Sequence, residues 1–303
     1  MKATPFVLLS CLLVLSPASL ESAQQDAPKG ISIASLSIFP TKWDKAANCK
    51  KIEQQVLKAA KQGAQLVITP EGALEGYVVN EIIRAKSVNE KDRLTKRFGQ
   101  VAEPMDGPYI NRLRKLANEL NIHLILGFLE AEGNKTFNTA ALIGPKGHIM
   151  GKYLKTHFHQ GYEVNPPGYT PGDTYPVFDL GFLKVGIMIC FDRQLPEPAR
   201  ALALAGADLI ACPAYGSWGD WNTRLMQVRA YENQTYTVFT HPEQSLIIDR
   251  DGKILGECRK DEIVGHKLTL SNLSKTRQSV TRRRPETYQG LSDSHRQSDP
   301  KTK

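Results

Sequence analysis

The chain has 303 residues, of which 41% are hydrophobic and 23% are charged, so it is long enough to bury one large core or two smaller ones. Its formal net charge is +8, but residues 275–303 hold eight lysines and arginines against three acids and carry most of this excess. Nucleic-acid binding requires basic residues along a folded surface with aromatic residues between them, and the body of the chain has neither. We therefore expect no nucleic-acid partner and a solvated basic tail.

The first 23 residues have the pattern of a secretory signal peptide. Lys2 supplies a positive start, residues 6–15 are apolar, and small residues over 16–23 offer a cleavage site. The apolar run is too short for a stable membrane anchor, and Cys11 leaves a lipoprotein site as a minor alternative. The pattern predicts a secreted or periplasmic protein without membrane contact after signal cleavage.

Strand and helix patterns alternate along the first half of the chain, where apolar residues recur with a period of 2 or of about 3.6. Strands are predicted over residues 31–39, 66–68, 122–129, 136–143 and 148–153. Helices are predicted over residues 42–62, 90–100 and 108–120. The last two strands form a hairpin around a Gly-Pro-Lys-Gly turn.

The second half follows the same plan after a long Gly- and Pro-rich loop over residues 156–174. Strands are predicted over residues 175–180, 185–190, 208–212, 236–240, 245–249, 253–258 and 266–270. Helices are predicted over residues 196–205 and 222–233. Two similar halves around one core predict a single α/β domain over residues 28–288, followed by a disordered polar tail over residues 289–303.

Cys190 ends a buried apolar strand and is followed at once by a charged turn. Strands in α/β folds present reacting groups at their carboxyl ends, because the core covers the rest of the strand. A helix is predicted to begin at Pro196, so the thiol lies near backbone N–H groups that favour a thiolate and stabilise a developing oxyanion. The alternative is a buried core cysteine without a chemical role.

The other cysteines outside the signal peptide predict neither a disulfide framework nor a metal site. Cys49, Cys212 and Cys258 are far apart in sequence and lack the Cys/His spacing of zinc ligands. His157 and His159 lie in a loop without further ligands, so we interpret them as structural or pocket-lining residues. We expect no metal at the site.

Two further strand ends carry reactive side chains, Glu71 after the strand over 66–68 and Lys155 after the hairpin. The segments around Glu71, Lys155 and Cys190 read TPEGALEGY, GKYLKTHF and ICFDRQLPE. In this order and at these spacings they resemble the general-base, lysine and nucleophile motifs of the carbon–nitrogen hydrolase (nitrilase) superfamily, in its amidase and N-carbamoylase branch. The resemblance spans about residues 31–290.

The resemblance implies a fold and a set of catalytic roles. The fold is a four-layer α-β-β-α sandwich, commonly paired into homodimers or larger homo-oligomers through helices that include the one after the nucleophile. Glu71 would be the general base, Lys155 the cation beside the oxyanion and Cys190 the nucleophile. Glu163, eight residues after the lysine, would be a second carboxylate, and neither a metal nor an organic cofactor is required. Taken singly, these acids and this lysine are also compatible with turn capping or surface ion pairs.

Five residues are candidates for binding the substrate: Tyr77, His157, Phe191, Arg193 and Trp218. Arg193 matches arginines that bind a substrate carboxylate in relatives acting on carbamoyl amino acids, and a salt bridge to Asp192 or Glu197 is an equally weighted alternative. The backbone N–H of Phe191 is a candidate oxyanion donor. Trp218 and Trp221 follow a strand end and are expected to line the pocket, with surface packing as the alternative.

The predicted function is hydrolysis of a linear amide or an N-carbamoyl compound through a Cys190 thioester, with release of ammonia or an amine. A nitrilase that acts on a nitrile is one alternative. The Phe191-Asp192 pair argues against it, because the nitrilase branch usually carries Trp and Glu after its cysteine. A non-catalytic binding protein that retained the fold is an alternative of a different class.

Overall fold

The computed structural model describes residues 30–159, 168–217, 219–273 and 276–292. The predicted signal peptide, Glu163, Trp218 and most of the predicted tail lie outside these residues. The first residues of that tail, Gln289–Ser292, form a short 3-10 helix. Within the described ranges, no helix is long and apolar enough to span a bilayer.

The described elements alternate between strands and helices, with antiparallel strands closing each half. The strands are β1 (Gly30–Leu36), β2 (Leu66–Ile68), β3 (His123–Glu132), β4 (Lys135–Ile143), β5 (Ile149–Leu154), β6 (Val177–Asp179), β7 (Lys184–Ile187), β8 (Leu209–Pro213), β9 (Tyr236–Thr240), β10 (Gln244–Ile248), β11 (Ile254–Arg259) and β12 (Ile263–Thr269). The helices are α1 (Lys45–Lys61), α2 (Val79–Ile83), α3 (Val88–Val101), α4 (Pro108–Leu120), α5 (Pro196–Leu204), α6 (Asp220–Asn233) and α7 (Gln278–Thr281).

Local signals set the ends of the two helices that cover the first sheet. Asp44 caps α1, because its side chain accepts a hydrogen bond of 2.9 Å from the backbone N–H of Ala47. Proline at the first position of α4 has no N–H to leave unsatisfied, and Asn121 ends that helix in the left-handed conformation, with φ of 51°. Each helix therefore begins and ends close to where its sequence predicts.

The two halves of the chain build two sheets on the same plan. The first sheet has the strand order β12-β1-β2-β3-β4-β5, and the second has the order β6-β7-β8-β9-β10-β11. In each sheet three parallel strands, β1-β2-β3 or β7-β8-β9, are flanked by antiparallel strands on both sides. Parallel strands of one sheet end at the same edge, so residues that follow β2 lie at one edge of the first sheet and residues that follow β7 lie at one edge of the second.

The sheets pack face to face with helices on their outer faces, as the four-layer sandwich predicts. Ile33 and Ile68 of the first sheet and Ile187 of the second lie in one buried cluster. Ser35 and Thr240 also join the sheets through a hydrogen bond of 2.7 Å between their hydroxyls. Helices α1 and α4 cover the first sheet, and α5 and α6 cover the second, so the predicted fold class is confirmed.

Strand β7 is shorter than its apolar sequence predicts. It ends at Ile187, and Cys190 instead begins a 3-10 helix, Cys190–Gln194, that leads into α5. The strand cannot include Cys190, whose φ of 47° is incompatible with an extended backbone. The thiol is therefore presented by a turn and not by the strand itself.

Strand β3 and helix α2 also differ from the sequence prediction. Strand β3 continues to Glu132, because Gly133, with φ of 59°, makes a tight turn that pairs it with β4. Helix α2 lies in the region taken as irregular and is only five residues long, too short for a periodic pattern to reveal.

Candidate active site

Glu71 lies in the turn after β2, at the edge of the first sheet. The backbone N–H of Thr69 donates to the carbonyl of Ile125 at 3.0 Å, and that of Gly127 donates to Thr69 Oγ1 at 3.0 Å, so the chain stays against β3 up to the turn. A side chain on Gly127 would overlap the Pro70 carbonyl oxygen. This close approach holds the turn on β3, and Glu71 is completely buried there.

One carboxylate oxygen of Glu71 is held by two donors. Lys155 Nζ, just after β5, lies 2.9 Å from Glu71 Oε1, and Asn138 Nδ2, in β4, donates to the same oxygen at 2.8 Å. The side chains of the ion pair are 0% exposed for Glu71 and 1% for Lys155. Glu71 Oε2 has no hydrogen-bond partner among the described residues. The carboxylate is thus fixed on one side and uncommitted on the other.

Cys190 lies in the same electrostatic neighbourhood. Burial and the negative charge of Glu71 raise the pKa of the Cys190 thiol. The positive charges of Lys155 and Arg193 lower it, as does a hydrogen bond from the backbone of Tyr215. The structure therefore brings the three residues of the predicted motifs, which are far apart in sequence, to one buried place.

The backbone of Cys190 is in the left-handed region, with φ of 47°. Residues other than glycine rarely adopt this conformation, and it persists only where the surroundings enforce it. Arg193 is part of that enforcement, because its Nη1 donates to the carbonyl of Cys190 at 2.7 Å and lies 3.4 Å from Sγ. The nucleophile candidate is thus held by its own turn.

Arg193 does not take the substrate-binding position that its sequence match predicts. Its side chain is 0% exposed, and its Nη2 donates to the carbonyl of Gly216 at 2.9 Å and to Asn222 Oδ1 at 2.8 Å. The alternative, a salt bridge to Asp192 or Glu197, is also absent among the described residues. Both terminal nitrogens are engaged inside the protein, and the buried Nε has no partner among the described residues, so Arg193 supports the cysteine turn from within the core.

Arg229, in α6, holds the same turn from the helix side. Its Nε donates to the carbonyl of Arg193 at 3.1 Å and its Nη2 to the carbonyl of Gln194 at 3.2 Å. An ion pair of 2.8 Å with Glu232 fixes the guanidinium. The C-terminal part of α6, residues 229–233, therefore anchors the turn.

Asp192 is a second buried anchor, a role that the sequence did not indicate. Its Oδ2 accepts hydrogen bonds from the backbone N–H of Ile189 at 2.8 Å and from the Tyr153 hydroxyl at 2.7 Å. Its Oδ1 accepts from Thr156 Oγ1 and from the backbone N–H of His157, both at 3.0 Å. Asp192 therefore ties the segment that carries the site lysine to the turn that carries the site cysteine.

A profile of the family described as Carbon-nitrogen hydrolase matches residues 31–278. The chain belongs to the carbon-nitrogen hydrolase family. The match covers both sheets, the three motif segments and the helices between them. This carbon-nitrogen hydrolase is therefore an enzyme of C–N bond hydrolysis, as its motifs imply.

The hydrolase is similar to relatives with several named activities. It is 37% identical over 210 residues to a nitrilase of Pyrococcus abyssi, covering 69% of this chain and 73% of the relative. It is 34% identical over 203 residues to a citrullinase of Francisella tularensis, covering 63% and 66%. It is 28% identical over 261 residues to the omega-amidase NIT2 of Homo sapiens, covering 78% and 88%.

Solved structures confirm the fold of the hydrolase. An amidase from Nesterenkonia matches it with a TM-score of 0.70 at 23% identity, covering 88% of this chain and 99% of the amidase. Another structure of that amidase, with a TM-score of 0.69 at 24% identity and coverage of 86% and 97%, shows covalent addition of the acetamide moiety of fluoroacetamide at its active-site cysteine.

The remaining substrate-binding candidates of the hydrolase lie in different surroundings. Tyr77, with φ of 49°, is buried and stacks on Tyr215 with ring centroids 4.7 Å apart. Phe191 packs edge-on against His159 at 5.4 Å. Trp221 is 61% exposed, which favours the surface alternative over a place in the pocket lining.

His157 is partly committed to the cysteine turn. Its Nδ1 lies 3.0 Å from Asp192 Oδ1 and 2.9 Å from Thr156 Oγ1, and its side chain is 36% exposed. The ring therefore bridges the buried anchor and the surface of the site. Its role in binding a substrate stays a prediction.

Glu75 is a second buried acid in the turn that carries Glu71. Its Oε2 accepts a hydrogen bond of 2.9 Å from the backbone N–H of Leu129, and its Oε1 has no partner among the described residues. Burial raises the pKa of Glu75 to about 7, with a smaller contribution from the negative charge of Glu71. The segment that carries the candidate base thus contains a second carboxyl group, whose pKa lies near neutral pH.

Replacing Glu75 with Gln should remove a pH dependence of stability. Between pH 4.5 and about 7 the folded protein keeps a proton on Glu75 that the unfolded chain has released, so the free energy of unfolding falls as pH rises through this window. From pH 4.5 to pH 8 the free energy of unfolding of wild type should fall by on the order of 3 kcal/mol more than that of the variant. Urea unfolding at pH 4.5 and pH 8 measures this change, with exposed Glu119→Gln as control. The prediction is refuted if variant and wild type differ in stability by the same amount at both pH values.

Replacing Asp192 with Asn should loosen the cysteine turn. The amide presents a donor to groups that themselves donate, and an unsatisfied buried group costs about 1–3 kcal/mol. We expect a lower midpoint of thermal unfolding and slower alkylation of Cys190 at neutral pH. Exposed Asp92→Asn is the matched control, and equal alkylation rates in the two variants would contradict the anchoring role.

Proposed function

We propose that this carbon-nitrogen hydrolase cleaves a linear amide or an N-carbamoyl compound through a thioester on Cys190. The observation that supports this most directly is the buried Glu71, whose Oε1 is held by Asn138 and Lys155 while Oε2 has no partner among the described residues. A fixed carboxylate with one uncommitted oxygen, beside a buried thiol, suits general-base activation of a nucleophile.

Activation of Cys190 is the first step. Burial raises the pKa of the thiol, so it is protonated at neutral pH, and a neutral thiol attacks an amide poorly. Glu71 takes the thiol proton while Sγ forms a bond to the carbonyl carbon. The π electrons of the carbonyl move to its oxygen, which becomes an oxyanion.

Lys155 and the backbone N–H of Phe191 are the donors that we assign to this oxyanion. Lys155 is already fixed by its ion pair, so it needs little rearrangement when the negative charge develops. Loss of one preorganised donor typically costs about 2.7–4 kcal/mol of transition-state stabilisation.

Two further steps complete the reaction. The C–N bond breaks, and the nitrogen leaves as ammonia or an amine with the proton that Glu71 carried. Water then attacks the thioester as Glu71 takes one of its protons, the C–S bond breaks, and the thiol recovers its proton from Glu71. The second carboxylate that we propose for proton transfer, Glu163, lies outside the described residues.

Relatives support the choice of amide and N-carbamoyl substrates. The named activities of an omega-amidase and a citrullinase concern an amide and a ureido group. The cysteine of the Nesterenkonia amidase is the residue that takes up the acetamide moiety of fluoroacetamide. These reactions share attack of a nucleophile on a carbonyl carbon that carries nitrogen.

A nitrilase activity is the second candidate, favoured by the 37% identity to the Pyrococcus abyssi nitrilase. A nitrile is attacked by the same thiol and passes through a thioimidate. The Phe191-Asp192 pair after the nucleophile favours the amide. Turnover of a nitrile at a rate equal to or above that of its matching amide would make nitrilase the better assignment.

Ammonia release from a panel of amides and N-carbamoyl acids tests the proposal. Cys190→Ala should abolish release, and Glu71→Gln, which keeps the shape but removes the base, should lower kcat about 10²–10⁴-fold. Cys258→Ala removes another buried thiol and should stay close to wild type. Full activity of Cys190→Ala would exclude the mechanism. No release by wild type, with ordinary Cys190 reactivity toward iodoacetamide, would favour a binding protein.

We also propose that the hydrolase forms a homodimer or larger homo-oligomer through α5 and α6. Leu204, Val228 and Tyr231 on these helices are 44%, 48% and 66% exposed, which supports a further contact there. Light scattering after size exclusion should give a multiple of the chain mass. Val228→Glu together with Tyr231→Glu should shift it to the monomer, whereas a wild-type monomer would exclude the assembly.

A further inference from the structure

A cleft of about 750 Å³ lies where the chain leaves β1 and β8. Tyr215, which follows β8, lines it on one side, and Arg84, just after α2, lines it on another. Glu243, in the turn between β9 and β10, is a third wall residue. The cleft therefore collects charged side chains from both halves of the chain.

Tyr215 connects the lining of this cleft to the cysteine turn. Its backbone donates a hydrogen bond to Cys190, and a Cβ placed on the next residue, Gly216, would lie 3.5 Å from Sγ. Its carbonyl accepts a hydrogen bond of 2.7 Å from His241 Nε2, and its ring stacks on Tyr77 at 4.7 Å. Tyr215 is thus fixed at both ends, with its ring at the cleft and its backbone at the turn that carries the sulfur.

The lysines of the cleft are already committed. Lys42 forms an ion pair of 2.5 Å with Glu81. Lys51 donates to the carbonyl of Phe39 at 2.9 Å, and Lys260 Nζ lies 4.7 Å from the centroid of the Phe39 ring. These lysines build the wall of the cleft.

Arg84 and Glu243 differ from the lysines. Both are exposed, and within the described ranges neither side chain makes a hydrogen bond or an ion pair. Burial and the charge of Glu243 raise the pKa of the Tyr215 phenol, and the charge of Arg84 lowers it, so both charges act at the residue that adjoins the sulfur. The cleft thus holds one uncommitted cation and one uncommitted anion.

We propose that this cleft binds the α-amino-carboxylate end of the substrate, with Arg84 on the carboxylate and Glu243 on the ammonium. The substrate is then an amino acid whose side chain ends in an amide or ureido group. This rests on the proposed function, since it assigns the far end of the molecule whose carbonyl Cys190 attacks. It also gives carboxylate recognition to a residue other than the buried Arg193.

Binding to the Cys190→Ala variant, measured by calorimetry, tests the cleft without turnover. The probes are asparagine, glutamine and citrulline, together with 4-aminobutanamide, which lacks the carboxylate of glutamine, and 5-amino-5-oxopentanoate, which lacks its ammonium. We expect an amino acid to bind most tightly, and each charge removed to weaken binding about ten-fold, as for one charge-assisted hydrogen bond.

Variants in the Cys190→Ala background assign each charge. Arg84→Gln should weaken amino-acid binding about ten-fold and leave 4-aminobutanamide unchanged, and Glu243→Gln should leave 5-amino-5-oxopentanoate unchanged. Arg93→Gln, an exposed arginine outside the cleft, is the control and should match the parent. The assignment is overturned if a variant loses as much affinity for its truncated probe as for the intact amino acid. It is also overturned if neither variant loses affinity for the amino acid.

Turnover by wild type separates this inference from the proposed function. Hydrolysis of neutral amides as fast as amino-acid amides, with no effect of Arg84→Gln, would overturn the cleft assignment and leave the hydrolase mechanism standing. Amino-acid binding that depends on Arg84 and Glu243, without ammonia release by wild type, would support the cleft and overturn the mechanism.

Discussion

The buried ion pair between Glu71 and Lys155 is the interaction on which the site depends. Taking two charges out of water costs several kcal/mol for each ion, and the cost is recovered only with good geometry and further hydrogen bonds. Here the 2.9 Å contact is supplemented by Asn138 at 2.8 Å. These residues come from the ends of β2 and β5 and from within β4, so the pair forms only when the first sheet has folded. The reactivity of the site is thus built into the architecture of that sheet.

A second set of buried charges aligns the thiol with that pair. Asp192 has no lysine or arginine partner in the described ranges, but its two oxygens accept hydrogen bonds from both the lysine segment and the cysteine turn. Arg193 holds the same turn by donating hydrogen bonds to the carbonyls of Cys190 and Gly216. Cys190 is thereby kept in a backbone conformation that it would not adopt alone. The buried polar atoms that are paired in this way favour one arrangement of the turn, and Arg193 Nε is the buried donor of this set that has no partner among the described residues.

The two halves share a strand plan but contribute different chemistry. The first half supplies the carboxylate and the ammonium, and the second half supplies the thiol and the aromatic wall at Tyr215. Because corresponding strand ends meet at one edge of the sandwich, one site results from two similar units. The cleft beside Tyr215 extends this shared edge, with Arg84 from one half and Glu243 from the other.

The order of elements and the strand-end positions of Glu71 and Lys155 follow from the sequence alone, because strand and helix periodicity are local properties. The sandwich was implied by the resemblance of the three motif segments to a known family. Asn138, Asp192 and the burial of Arg193 were decided only by the tertiary structure. The partners of Asn138 and Asp192 lie 67 and up to 39 residues away, and no local pattern encodes such contacts. The end of β7 before Cys190 was decided in the same way, since the arginine and aspartate contacts impose a backbone conformation that the apolar run does not announce.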